Sequence, residues 1–146
     1  MSMYNKIIVA IDLSEDSKWV MDRAVKLADG DAGKLSLVHV VEPVAAAYSM
    51  DAYAININEL QQEAMNIATQ RLTDIGKKIG VPPSQQFALL GAPSTEIRNL
   101  ASEQNADVIV IGSHGHSGWK ILLGSTANKV LHGAACDVLT VIVGKD

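Results

Sequence analysis

One cysteine stands in 146 residues, which excludes a disulfide framework and a cysteine-built zinc site. Basic tracts are missing too. Twelve Lys and Arg face sixteen Asp and Glu, for a net charge of −4, which argues against a nucleic-acid binder. No apolar run approaches the roughly 20 residues needed to span a bilayer, and Met1-Ser-Met-Tyr-Asn-Lys6 carries no secretory pattern. The expectation is a cytoplasmic protein. There is no internal repeat, low-complexity tract or linker, and the length suits one domain, 1–146. The chain also lacks Gly-x4-Gly-Lys-Ser/Thr, which excludes a P-loop NTPase.

What is present is hydrophobic, at 48%. Such a chain is not disordered, and at this length it can bury roughly two-thirds of its unfolded surface. Ile7-Ile-Val-Ala-Ile11 is continuous and β-branched, as in a strand buried on both faces. Ser14 reads as the cap of a helix with Val20, Ala24, Leu27 and Ala28 at helical spacing, and Glu15 and Asp16 fall in its first turn. Leu35 to Val41 is a second strand, closed by Pro43. Residues 44 to 57 read as a surface loop. Asn58, with Gln61 three residues on, predicts the cap of a helix striped by Leu60, Ala64, Ile67, Ala68, Leu72, Ile75 and Ile79.

Phe87 to Gly91 gives a third strand, and Pro93 opens a helix carrying Ile97, Leu100 and Ala101. A fourth strand runs from Asp107 to Ile111, and a last helix from Thr126 to His132 is closed by Gly133. Asp137 to Val143 is the fifth strand. Strict alternation of strand and helix predicts a parallel sheet with right-handed crossovers and helices on both faces. Ligands of such sheets sit beyond the carboxyl ends of strands, at the topological switch point. Asp12, Val40 to Glu42, Gly91 and Gly112 all lie at such ends.

The most informative stretch is Val108-Ile-Val-Ile-Gly112-Ser-His-Gly115, followed by Gly124-Ser125-Thr126. It reads as a strand, a glycine loop and a helix N-terminus, where backbone N–H groups converge on an anion, most often phosphate. Gly112 and Gly115 would let the backbone approach a ligand without a Cβ clash. The plainer reading is two turn glycines. Gly124, Ser125 and Thr126 would present N–H groups and hydroxyls, or form an ordinary cap. His114 and His116 invite a catalytic or metal reading. A metal needs more ligands, and His39 and His132 lie far off in sequence, so no metal ligand and no catalytic residue is assigned.

Taken together, these residues resemble a universal stress protein of the UspA superfamily. Ile8-Val-Ala-Ile-Asp12 with Ser14, Val38-His-Val40, Gly91-Ala-Pro93, Ala106 to Gly115, Leu123-Gly-Ser125 and Cys136-Asp-Val-Leu-Thr-Val carry the resemblance. It implies a Rossmann-like α/β fold, akin to adenine nucleotide alpha hydrolases. The sheet would be five-stranded and parallel, of order 3-2-1-4-5, with a homodimer formed through the last strand, Val138 to Val143. A proline at Val141 would then remove a ladder donor from that edge.

The resemblance also implies a bound ATP, AMP or ADP, with Mg²⁺ held by the phosphates. The contacts carried over are Ala10, Asp12, Val40, Gly91, Gly112, His114, Gly115, Gly124, Ser125 and Thr126. Nucleotide-binding members commonly carry Gly-x2-Gly-x9-Gly-Ser/Thr. Here His116 to Leu123 makes a spacer of eight. A one-residue deletion inside a helix would rotate the downstream residues by about 100°, whereas a loop containing Gly118 can absorb it. Two alternatives stay open: a nucleotide-free interaction dimer and a slow ATPase or phosphotransferase. Against an enzyme, no general base stands beside the glycine loop and no carboxylate pair is dedicated to a metal.

Overall fold

In a computed structural model of the chain, described here for residues 3–43, 57–113 and 125–143, strands and helices alternate as the hydrophobic pattern demands. The strands are β1 (Ile7–Ala10), β2 (Leu35–Val41), β3 (Gln86–Leu90), β4 (Val108–Gly112) and β5 (Asp137–Val141). Between them lie α1 (Ser17–Leu27), α2 (Ile57–Ile79), α3 (Pro93–Glu103) and α4 (Ser125–Gly133). The sheet is parallel throughout, in the expected order β3-β2-β1-β4-β5.

Strand alternation divides the core in two. Ile7, Val9, Leu35, Leu37, Val108 and Val110 point to the face covered by α1 and α2, where Val20, Met21, Ala24 and Leu72 meet them. Ile8, Ala10, Val38, Ile109 and Ile111 point to the other face, against Ile97, Leu100, Ala127 and Val130 of α3 and α4. All four residues of β1 are buried, which explains their unbroken apolar run.

The boundaries carry two corrections. The second helix begins at Ile57, so Asn58 is helical and exposed rather than a cap. Regular helix α1 begins at Ser17, three residues after the expected cap. The residue before the helix is Asp16, and it makes no side-chain cap bond. Ser14 instead stabilises the preceding turn, its Oγ accepting from the Asp16 N–H at 3.1 Å and its carbonyl from the Ser17 N–H at 3.0 Å. Glu15 and Asp16 therefore sit in a turn leading into the helix, and the regular first turn holds no acid.

Candidate functional site

Parallel register fixes what meets at the carboxyl edge. Ala10 lies opposite Val38 on one side and Ile111 on the other. Two residues further along, Asp12 stands level with Val40 and Ser113. Strand β1 is also where the winding reverses, because its chain neighbour β2 and the later strand β4 flank it. The crevice beyond Asp12 is therefore the topological switch point of this sheet.

The turn after β1 is tightly organised. Asp12 Oδ1 accepts from the Ser14 N–H at 3.0 Å, from Ser14 Oγ at 2.6 Å and from Ser17 Oγ at 3.2 Å. Leu13 sits between them at a φ of 66°, a left-handed conformation costly for a branched residue. Three donors on one oxygen hold that conformation and fix the carboxylate at the mouth of the crevice. Asp12 is exposed, whereas Ser17 beneath it is buried.

Strand β4 brings Gly112 and Ser113 to the same level. Ser113 is buried, donates its N–H to the Val141 carbonyl at 2.8 Å, and accepts from the Val143 N–H at 3.4 Å through Oγ. The end of β4 is thus tied to β5, and Gly112 is left half-buried at the rim. Helix α4 returns antiparallel to the strands, so its first turn, Ser125 and Thr126, opens at this same edge. A helix start leaves its first four N–H groups without intrahelical partners and carries partial positive charge. Asp12, Gly112 and the start of α4 accordingly lie at one carboxyl edge of the sheet, where a helix N-terminus favours an anion.

The remaining residues singled out from the sequence fall in different places. Ala10 and Val40 pack with the core on the α3 and α4 face. Gly91 directly follows β3, two strands from β1. A side chain there would be strained at its φ of 151°, and a Cβ would stand 2.9 Å from Glu96 Cγ. Its role in the turn before Pro93 accounts for the glycine. His114, Gly115 and Gly124 lie outside the described residues, as do residues 44–56, His116, Gly118, Trp119 and Lys120. Among the described residues, no cluster of three His, Cys, Asp or Glu could hold a metal, and no helix is long and apolar enough to cross a membrane.

Two residues that hold the end of β1 in place are not legible in the sequence. Ser17 reads as an ordinary helix position, yet its hydroxyl supports Asp12. His39 is remote from the glycine loop along the chain, but β2 register carries it beside the end of β1, where its Nδ1 donates to the Ile11 carbonyl at 2.8 Å. The signal available is the pairing of β1 with β2, which brings residue 39 alongside residue 11.

Comparisons with known proteins agree with this fold. The profile described as the universal stress protein family matches residues 3–141. Universal stress protein A homolog 1 of Coxiella burnetii is 42% identical over 139 residues, covering 94% of this chain and 96% of that protein. Universal stress protein UspA from Lactobacillus plantarum has the same fold, with a TM-score of 0.76 at 21% identity over 94% of this chain and 97% of the other. A universal stress protein solved in complex with cAMP superposes with a TM-score of 0.61 at 25% identity, covering 97% and 98% of the two chains. The chain belongs to the universal stress protein family.

Proposed function

We propose that this protein is a homodimeric binding module for an adenine nucleotide, acting in stress response or sensing in the cytoplasm. ATP is the first candidate, with AMP or ADP as variants, and Mg²⁺ would be carried by the phosphates. The observation that supports the reading is the position of Asp12, Gly112 and the first turn of α4 at one carboxyl edge of a sheet whose winding reverses at β1. Asp12 would meet the ribose, Gly112 would admit the backbone close to the ligand, and the first N–H groups of α4 would meet the phosphates. A family relative in complex with cAMP, itself an adenine nucleotide, supports the ligand class.

Binding without turnover fits the chemistry best. Asp12 engages its Oδ1 with three donors in the turn, which suits holding a ligand more than abstracting a proton. For the dimer, β5 offers an edge. The Val141 carbonyl points to β4, so Val141 faces inward, while the main-chain groups of Val138, Thr140 and Ile142 face outward. The proline that probes this edge therefore belongs at Thr140 and not at Val141. Val141 is also 1% exposed in the core, and a proline there would disrupt the sheet itself.

The test is calorimetric titration with MgATP of the wild type and of Gly115→Val. Binding by the wild type that the folded variant loses is the expected result. A wild type that binds no adenine nucleotide, yet sediments as a dimer, would establish the nucleotide-free alternative and implicate the eight-residue spacer.

A further inference from the structure

Helix α2 is long for this sheet. Its 23 residues extend about 34 Å, and its buried positions are Ala68, Leu72 and Gly76. The helix starts at the carboxyl edge and runs back over β2 and β3, so its first turns overhang the sheet. Under that overhang, against the ends of β1 and β2, lies an open cleft of about 270 Å³. Its apolar walls are Val41, Ala64, Ile67 and Ala68. Its polar groups among the described residues are Asp12, His39 and Arg71.

We infer that this cleft is a second small-molecule site, separate from the nucleotide crevice, for a small planar anion with a hydrogen-bond donor at its far end. Strand alternation supplies the separation. His39 and Val41 project to the α1 and α2 face, whereas Val40 packs on the α3 and α4 face. The two sites meet only near Asp12.

The chemistry is polarised from helix to strand. Arg71 is exposed, and the ion pair among the described residues joins Lys26 to Asp22, so Arg71 holds no carboxylate there. A guanidinium beside apolar walls recognises a carboxylate through paired N–H donors. The strand side offers acceptors. A carbonyl only accepts, so the His39 Nδ1 that meets Ile11 carries the proton, and in the neutral ring Nε2 has a lone pair to offer. Asp12 lines the same end and repels a second anion. The ligand's negative end therefore belongs at Arg71, its donor at His39, and its ring between Val41 and Ile67. The cleft is slightly smaller than a drug-sized pocket, which suits one or two fused rings.

The probe is 6-hydroxy-2-naphthoate, titrated into the isotope-labelled full chain by amide NMR. Expected are millimolar or tighter binding and shifts centred on Leu13, Val41, Ala64 and Ile67. Arg71→Gln should weaken it about tenfold, as loss of one charged hydrogen-bond pair implies, with an unchanged urea midpoint because Arg71 is exposed. The neutral amide of the probe should lose the same factor on the wild type. Shifts should persist in saturating MgATP. No binding at millimolar probe, equal binding by Arg71→Gln, shifts centred elsewhere, or displacement of the probe by nucleotide would each overturn the inference.

Discussion

Replacing Asp12 by alanine and by asparagine separates what the residue does for the fold from what it does for a ligand. Alanine removes the acceptor of three hydrogen bonds. The two from Ser14 are exposed, and each contributes about 0.5 kcal/mol. The one from Ser17 reaches a hydroxyl that is 5% exposed, and losing it strands a buried donor at about 1 kcal/mol or more. Leu13 at a φ of 66° also loses what holds it there. The total is about 2 kcal/mol, which at an m-value of roughly 1.5 kcal/mol/M lowers the urea midpoint by a little over 1 M. Asparagine keeps a carbonyl oxygen for the same three donors, so Asp12→Asn should lose under about 1 kcal/mol. It removes the charge and an acceptor facing the crevice, so MgATP affinity should fall about tenfold or more. Denaturation and calorimetry on both variants check this. An alanine variant as stable as wild type would refute the turn argument, and an asparagine variant with wild-type affinity would refute the ligand contact.

Gly76→Ala gains about 1 kcal/mol in helix propensity, yet a Cβ there would stand 2.8 Å from the Val81 carbonyl oxygen. Backbone does not yield cheaply, so a net loss of about 1–2 kcal/mol is expected in urea, and a stabilised variant would contradict it. Tyr4 donates its hydroxyl to Asp137 at 2.7 Å, which with desolvation and the carboxylate's charge raises the phenol above its ordinary 10.0. A raised folded-state value means that the bond's contribution is complete below about pH 10 and is lost as pH rises through the higher value. Asp137→Asn should bring the Tyr4 titration back down by NMR, and an identical titration in both proteins would count against the assignment. Thr140→Pro should lower the sedimentation coefficient of a folded protein by removing an outward donor from β5; an undiminished dimer would place the interface elsewhere.

The sheet is readable in the sequence because a strand buried on both faces has to be apolar throughout. Ile7 to Ala10 and Val108 to Ile111 announce themselves, and their order with the helices leaves few topologies. Helix starts are less readable. Asn58 and Gln61 satisfy a capping pattern that also occurs inside a helix, and Ser14 stabilises a turn that tightens into regular helix only at Ser17. The direction of the Val141 amide depends on register with β4, which no local pattern records. At the site, Asp12 and Gly112 stand out by their places at strand ends. The support given by Ser17 and the placement of His39 arise from tertiary pairing and are visible only in three dimensions.

The most direct test of the nucleotide reading is an amide NMR map of the labelled protein titrated with MgATP. Binding at the switch point predicts shifts concentrated at Asp12, Gly112, Ser113, Ser125 and Thr126, on the three chain segments at this carboxyl edge. Shifts absent from those residues, or centred on another part of the sheet, would contradict it.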